Sequence, residues 1–123
     1  MTSQRLALGK KGEEVARDFL EKAGYTILAN NYRTRCGEID IIARDRQTLV
    51  FVEVKTRRNN RYGTALEAIT YKKQRQISRV AAEYVAQNGV ADSPARFDVV
   101  AVTFETSTPR IDLVQDAFEF TYG

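Results

Sequence analysis

Gly37-Glu38-Ile39-Asp40-Ile41-Ile42-Ala43-Arg44-Asp45-Arg46-Gln47-Thr48-Leu49-Val50-Phe51-Val52-Glu53-Val54-Lys55-Thr56-Arg57 is the stretch that decides how this chain folds. Two runs rich in β-branched residues flank the short polar segment Asp45-Arg46-Gln47-Thr48, the pattern of two strands joined by a hairpin turn. The strands are predicted over Glu38–Arg44 and Leu49–Arg57. A turn centred between Arg46 and Gln47 sets Ile42 opposite Phe51, Asp40 opposite Glu53 and Glu38 opposite Lys55. Ile39, Ile41 and Ala43 then share one apolar face with Val50, Val52 and Val54, while the carboxylates lie on the other.

Working outward, Leu8, Val15, Ala16, Phe19, Leu20 and Ala23 recur at helical spacing, which predicts a helix over Gln4–Ala23 stopped by Gly24. Tyr25–Arg33 reads as a first strand and Arg58–Thr64 as a basic loop. Thr70 is placed to cap a second helix running to Asn88, with Ile77, Val80, Ala81, Tyr84 and Val85 as its apolar stripe. After a turn region at Gly89–Pro94, an apolar strand is expected over Arg96–Phe104 and a shorter one over Arg110–Val114. This order favours one α/β domain over 1–123, a mixed central sheet flanked by helices.

Composition excludes more than it selects. The 123 residues, 43% of them hydrophobic, can bury a core unaided, and no apolar run approaches the roughly 20 residues of a membrane helix. With no histidine and a single cysteine, Cys36, neither a Ser-His-Asp or Cys-His nucleophile nor a Cys/His zinc site can be built. Cys36, read as inert, and the lack of a secretory leader pattern fit a cytoplasmic protein. Carboxylates, lysine, tyrosine and hard metals remain.

Facing Asp40 and Glu53 side chains, with Cβ atoms about 5 Å apart, would repel by roughly 3 kcal/mol at an effective dielectric near 20. Lys55 offsets one carboxylate, and Glu38 adds another. A proton or a hard divalent cation, Mg²⁺ or Mn²⁺, would relieve the excess. The competing reading is a solvated, salt-bridged strand face. Glu13 lies in Gly9-Lys10-Lys11-Gly12-Glu13-Glu14, where glycines inside a helix suggest close approach by a neighbouring element, although Glu13 would equally suit a solvent-facing position.

Gly9-Lys10-Lys11-Gly12-Glu13, Gly37-Glu38-Ile39-Asp40, Phe51-Val52-Glu53-Val54-Lys55, Lys73 and Arg96-Phe97-Asp98-Val99-Val100 together resemble the YraN family. The resemblance covers most of the chain. It implies a restriction-endonuclease-like PD-(D/E)XK fold with an αβββαβ core, related in fold to archaeal Holliday-junction resolvases. It also implies metal ligation by Asp40, Glu53 and the Val54 carbonyl. Lys55 would activate or orient the attacking water, and Glu13 would complete the acidic cluster, through a water where it does not reach the metal directly.

Arg57, Arg58 and Arg61 follow with Tyr62, offering phosphate contacts and a stacking surface, or simply a solvated basic loop. Lys73 falls on the inward stripe of the second helix, where a nearby acid or phosphate, or snorkelling of its stem, would accommodate it. Asp98, interrupting a core strand, is expected to pair with Arg96 or a basic loop and to serve the fold. The leading functional expectation is a metal-dependent nuclease hydrolysing phosphodiester bonds in DNA, branched or structured DNA included, for which a homodimer would suit two strands. The alternatives are a catalytically silent nucleic-acid-binding protein of the same fold and a protein-interaction domain with a salt-bridged surface.

Overall fold

The hairpin forms in the expected register: Ile41 pairs with Val52, Ile42 with Phe51, Ala43 with Val50, Arg44 with Leu49 and Asp45 with Thr48. The computed structural model describes residues 3–59, 61 and 63–121, with side chains from Leu6 onward. Along the chain, α1 (Ser3–Lys22), β1 (Thr26–Thr34), β2 (Gly37–Asp45) and β3 (Thr48–Arg57) precede a single 3-10 turn (Leu66–Ala68). α2 (Tyr71–Asn88), β4 (Ala95–Thr103) and β5 (Arg110–Phe118) complete it. The five strands lie side by side in chain order, β3 and β4 parallel and every other pair antiparallel. A parallel neighbour needs a long crossover, and α2 supplies it. The result is a mixed α/β sheet whose element order contains the αβββαβ core.

Local chemistry sets the helix ends. α1 closes with Tyr25 N–H on the Leu20 carbonyl and Gly24 at φ 102°, a left-handed step that glycine takes without a Cβ clash. Thr70 caps α2 by accepting the Lys73 N–H, and Gly89 ends it at φ 63°. The 3-10 turn was not foreseen, although Thr64 and Glu67 form a reciprocal capping box before it, with Thr64 N–H on Glu67 Oε1 and Glu67 N–H on Thr64 Oγ1.

The hairpin is covered on both faces, which corrects the expectation of one apolar and one polar face. α1 buries Ala16 and Leu20 against Ile41, Ala43, Val50, Val52, Val100 and Val102. α2 buries Ile77, Val80 and Ala81 against Ile39, Ile42, Leu49, Phe51 and Phe97. Ile39 thus packs with the α2 layer and not with Ile41 and Ala43. On the neighbouring strand Asn31, between the pairs Asn30–Ile41 and Tyr32–Ile39, sits at φ 50°.

β5 also runs further than expected, to Phe118, across an irregularity between the pairs Val99–Val114 and Phe97–Phe118. The buried Asp98 carboxylate accepts the Asp116 N–H at 3.0 Å, with Asp116 at φ 52°, which holds the bulge in place. Among the described residues, no helix is long and apolar enough to cross a membrane.

Candidate functional site

Past Ile41 and Val52 the β2–β3 ladder stops, and a side chain takes over from the backbone. Asp40 Oδ2 accepts the Val54 N–H at 2.8 Å. A strand residue projects its N–H and C=O to the same side, so the Val54 carbonyl faces the same opening between the strands. Asp40 and Glu53 meet there in hydrogen-bonding contact, and Glu53 is only 7% exposed. Burial first, then the neighbouring Glu53 charge, push the Asp40 carboxyl up to about 8, against the opposing pull of the Val54 N–H. Asp40 therefore favours its protonated form, where two carboxylates would repel.

Each neighbouring element contributes a charge. From α2, Lys73 Nζ reaches Glu53 Oε2 at 3.6 Å, so the inward lysine has its acidic partner. From α1, the half-buried Glu13 accepts a hydrogen bond from Asn31 Nδ2 at 2.9 Å. Burial raises the Glu13 pKa, the Asn31 bond lowers it, and the charges of Asp40 and Glu38 raise it further. α1 can bring Glu13 this close because Gly12 lies on β3: a Cβ there would collide with the Thr56 side chain, whereas Gly9 faces nothing within 4 Å. The close approach read from two glycines is real at one of them.

The structure does not bring every expected partner together. Glu38 bonds Arg33 on β1 at 3.3 Å, a largely exposed pair, and does not face Lys55 across the hairpin because the ladder has already ended. Lys55 is exposed and makes no ion pair among the described residues; Lys73 takes the part expected of it. Nor do three Asp, Glu or Cys side chains among the described residues gather as a metal cluster by themselves. Asn31 was missed altogether. Its one sequence signal is an Asn-Asn step within a strand, since asparagine tolerates the left-handed conformation found there.

In the basic segment, Arg57 folds inward, donating from Nη1 to the Gly63 carbonyl at 2.7 Å and from Nε to Thr103 Oγ1 at 3.3 Å. Arg58 and Arg61 are exposed, and Tyr62 lies outside the described residues. Asp98 serves the fold as expected. Fully buried, it binds Arg96 through both oxygens and accepts the Tyr25 hydroxyl at 2.8 Å, while Arg96 also reaches Asp45 at 2.8 Å. Asp98 and Asp45 hold the Arg96 guanidinium above its ordinary pKa, and burial raises that of Tyr25. Cys36 donates to Glu83 Oε1 at 2.8 Å, and that bond raises the pKa of its thiol, which disfavours a nucleophilic thiolate.

A family profile described as "Uncharacterised protein family UPF0102" matches residues 12–102, spanning Glu13, the hairpin, Lys73 and Asp98. The chain belongs to the UPF0102 family. Among its UPF0102 relatives, the protein of Syntrophus aciditrophicus is 50% identical over 121 residues, covering 98% of this chain and 95% of that one. The Geobacter metallireducens protein is 48% identical over 122 residues, 99% of this chain and 100% of the relative. That of Symbiobacterium thermophilum is 51% identical over 112 residues, 90% and 95%. This is the YraN family that the motifs resemble, and the UPF0102 match takes in the helix, hairpin and crossover helix that surround Asp40.

Proposed function

We propose that this UPF0102 chain is a metal-dependent phosphodiesterase acting on DNA, branched or structured DNA included, in the cytoplasm and as a homodimer. The observation that carries the reading is the Asp40–Glu53 pair, a half-buried and a buried carboxyl brought together at the open end of a hairpin, with the pKa of Asp40 raised. A fold that spends stability on such a pair has a use for a cation there. The donor set suits a hard ion: the carboxylates of Asp40 and Glu53 and the Val54 carbonyl would hold it, with Glu13 close by on α1 to add a further carboxylate, directly or through water. Bound there, Mg²⁺ or Mn²⁺ would polarise the scissile phosphate and lower the pKa of the attacking water.

The protein's own groups do the rest. Lys73 holds Glu53 in place through their ion pair, and Val54 N–H holds Asp40. Lys55, exposed and without an ion pair among the described residues, would meet a phosphate and offset charge developing on it. Arg57, Arg58 and Arg61 would contact the flanking backbone. A second reading, a silent nucleic-acid-binding protein of the same fold, draws on the absence of a three-carboxylate cluster among the described residues. Calorimetric titration of Mn²⁺ into wild type, Asp40→Ala and Glu53→Ala, with cleavage assays on single-stranded, duplex, flap and four-way DNA, separates the two. Metal uptake and cutting lost in both variants is expected; equal uptake in all three proteins would refute the site. Binding of DNA without cutting in any metal would favour the silent reading.

A further inference from the structure

Three rows of paired residues cross β3, β4 and β5 beyond the acidic pair. Glu53, Val99 and Val114 form the first, Lys55, Ala101 and Asp112 the second, and Arg57, Thr103 and Arg110 the third. Paired residues on adjacent strands project to the same side, and the Arg57–Thr103 hydrogen bond confirms that side for the third row. The segment Ala65–Ile69 packs on Val99 and Ala101, so the sheet face beside it becomes a cleft. Its volume is about 410 Å³, and Arg57, Gly63, Thr64, Ala65, Arg110, Asp112 and Val114 line it.

The charges in this cleft are incompletely matched. Arg57 is half-buried, yet its two partners, the Gly63 carbonyl and the Thr103 hydroxyl, are both neutral, and no carboxylate pairs with it among the described residues. A partly desolvated guanidinium without a counter-ion attracts one. Arg110, two strands away and about 10 Å across, pairs with Asp112 at 3.3 Å, but the pair is exposed and exchanges readily with water or another anion. Thr103 lies between the two cations, and Val114, in the first row, and Ala65 supply apolar lining further along the cleft. The cleft is too large for a bare anion and falls in the range of small-molecule sites.

The geometry points to a nucleotide-binding subsite here, with one phosphate held between Arg57 and Arg110 and the attached sugar and base lying over Val114 and Ala65. Guanidinium forks suit the phosphate, and the apolar lining suits the face of a base. Arg57 is four residues along β3 from Glu53, about 13 Å, a few nucleotides along a bound strand. The assignment of DNA as the source of that nucleotide rests on the function proposed above; the anion-plus-base chemistry of the cleft does not.

Fluorescence anisotropy of a labelled single-stranded DNA in EDTA tests the subsite without metal or cleavage. Arg110→Ala is expected to weaken binding about tenfold and to lower the salt slope by about one, with Arg110→Lys recovering only part. Replacing single nucleotides by abasic sites should reveal one position of largest loss in the wild type, and Arg110→Ala should erase that difference. Unchanged affinity in Arg110→Ala and Arg57→Lys, or an equal loss in the remote charge variant Lys22→Ala, overturns the subsite. Arg110-dependent binding of free deoxynucleoside monophosphates alongside Arg110-independent binding of the oligonucleotide keeps the nucleotide cleft and overturns DNA as its source. Arg110-dependent DNA binding by a protein that neither takes up metal nor cuts removes the proposed function and keeps the cleft; cutting with Arg110-independent binding does the reverse.

Discussion

Burial, the Glu53 charge and the Glu38 charge all favour a protonated Asp40, and the Val54 N–H opposes them. Glu53 faces it from β3, Glu13 lies close on α1, and Lys73 of α2 answers Glu53 at 3.6 Å. A carboxyl whose pKa rises on folding takes up a proton as the chain folds. Its contribution is full below its unfolded value of 3.8 and is lost as pH climbs through about 8. In EDTA the wild type should therefore lose a few kcal/mol between about pH 4 and pH 8, the partial exposure of Asp40 trimming the full effect. Asp40→Asn, which keeps an acceptor for Val54 N–H and offers Glu53 a donor, should remove most of that slope and be the more stable protein at high pH. Thermal melts across the range decide it, and a wild-type Tm indifferent to pH would count against the protonated Asp40. Asp98 is the contrasting carboxylate, fully buried but matched by Arg96, Tyr25 and the Asp116 N–H. Asp98→Ala would strand Arg96 and loosen the β5 bulge, at a cost of roughly 3–5 kcal/mol in urea unfolding.

At the scale of elements, one glycine of α1 lies tight against β3 and the other meets nothing. Gly12→Ala gains helix propensity of about 1 kcal/mol but drives a methyl into Thr56, and overpacking of that kind costs about 1–3 kcal/mol. Gly9→Ala meets nothing and should stabilise by up to about 1 kcal/mol. Denaturant midpoints moving in opposite directions would establish the docking of α1, and two stabilised variants would contradict it. The pair also shows what a sequence can reveal. Two helical glycines announce a close approach without saying which one makes it. The hairpin register was legible because a turn and a two-residue period both specify it, and α2 because Thr70, Gly89 and one apolar stripe mark its ends and face. The left-handed steps at Asn31 and Asp116 were not. They depend on contacts between segments far apart in the chain, Asn31 with Glu13 and Asp98 with Asp116 N–H, and no local period encodes them. The facing acids and an inward Lys73 with an acid or phosphate nearby could be anticipated, while the choice of Glu53 as its partner could not.

The molecule as a whole divides its charges by position. Asp98 and Arg96 neutralise one another inside the α1 layer, whereas Asp40 and Glu53 are left acidic where the sheet opens and Arg57 is left cationic further along the same strand. A net charge of +3 conceals that separation. It fits a protein that binds a cation and a polyanion next to each other, each offsetting the charge that would repel the other. The stability of the fold should then depend on the cation. A ligand that binds only the folded chain raises its stability by about 2.7 kcal/mol at a hundredfold excess over Kd. At pH 8, where the Asp40 proton is being lost, saturating Mn²⁺ or Mg²⁺ should raise Tm clearly. At pH 5 the proton competes with the metal, and the gain should shrink. Asp40→Asn should show little gain at either pH. Differential scanning calorimetry with and without metal measures all three, and an equal shift in wild type and variant at both pH values would place the metal elsewhere.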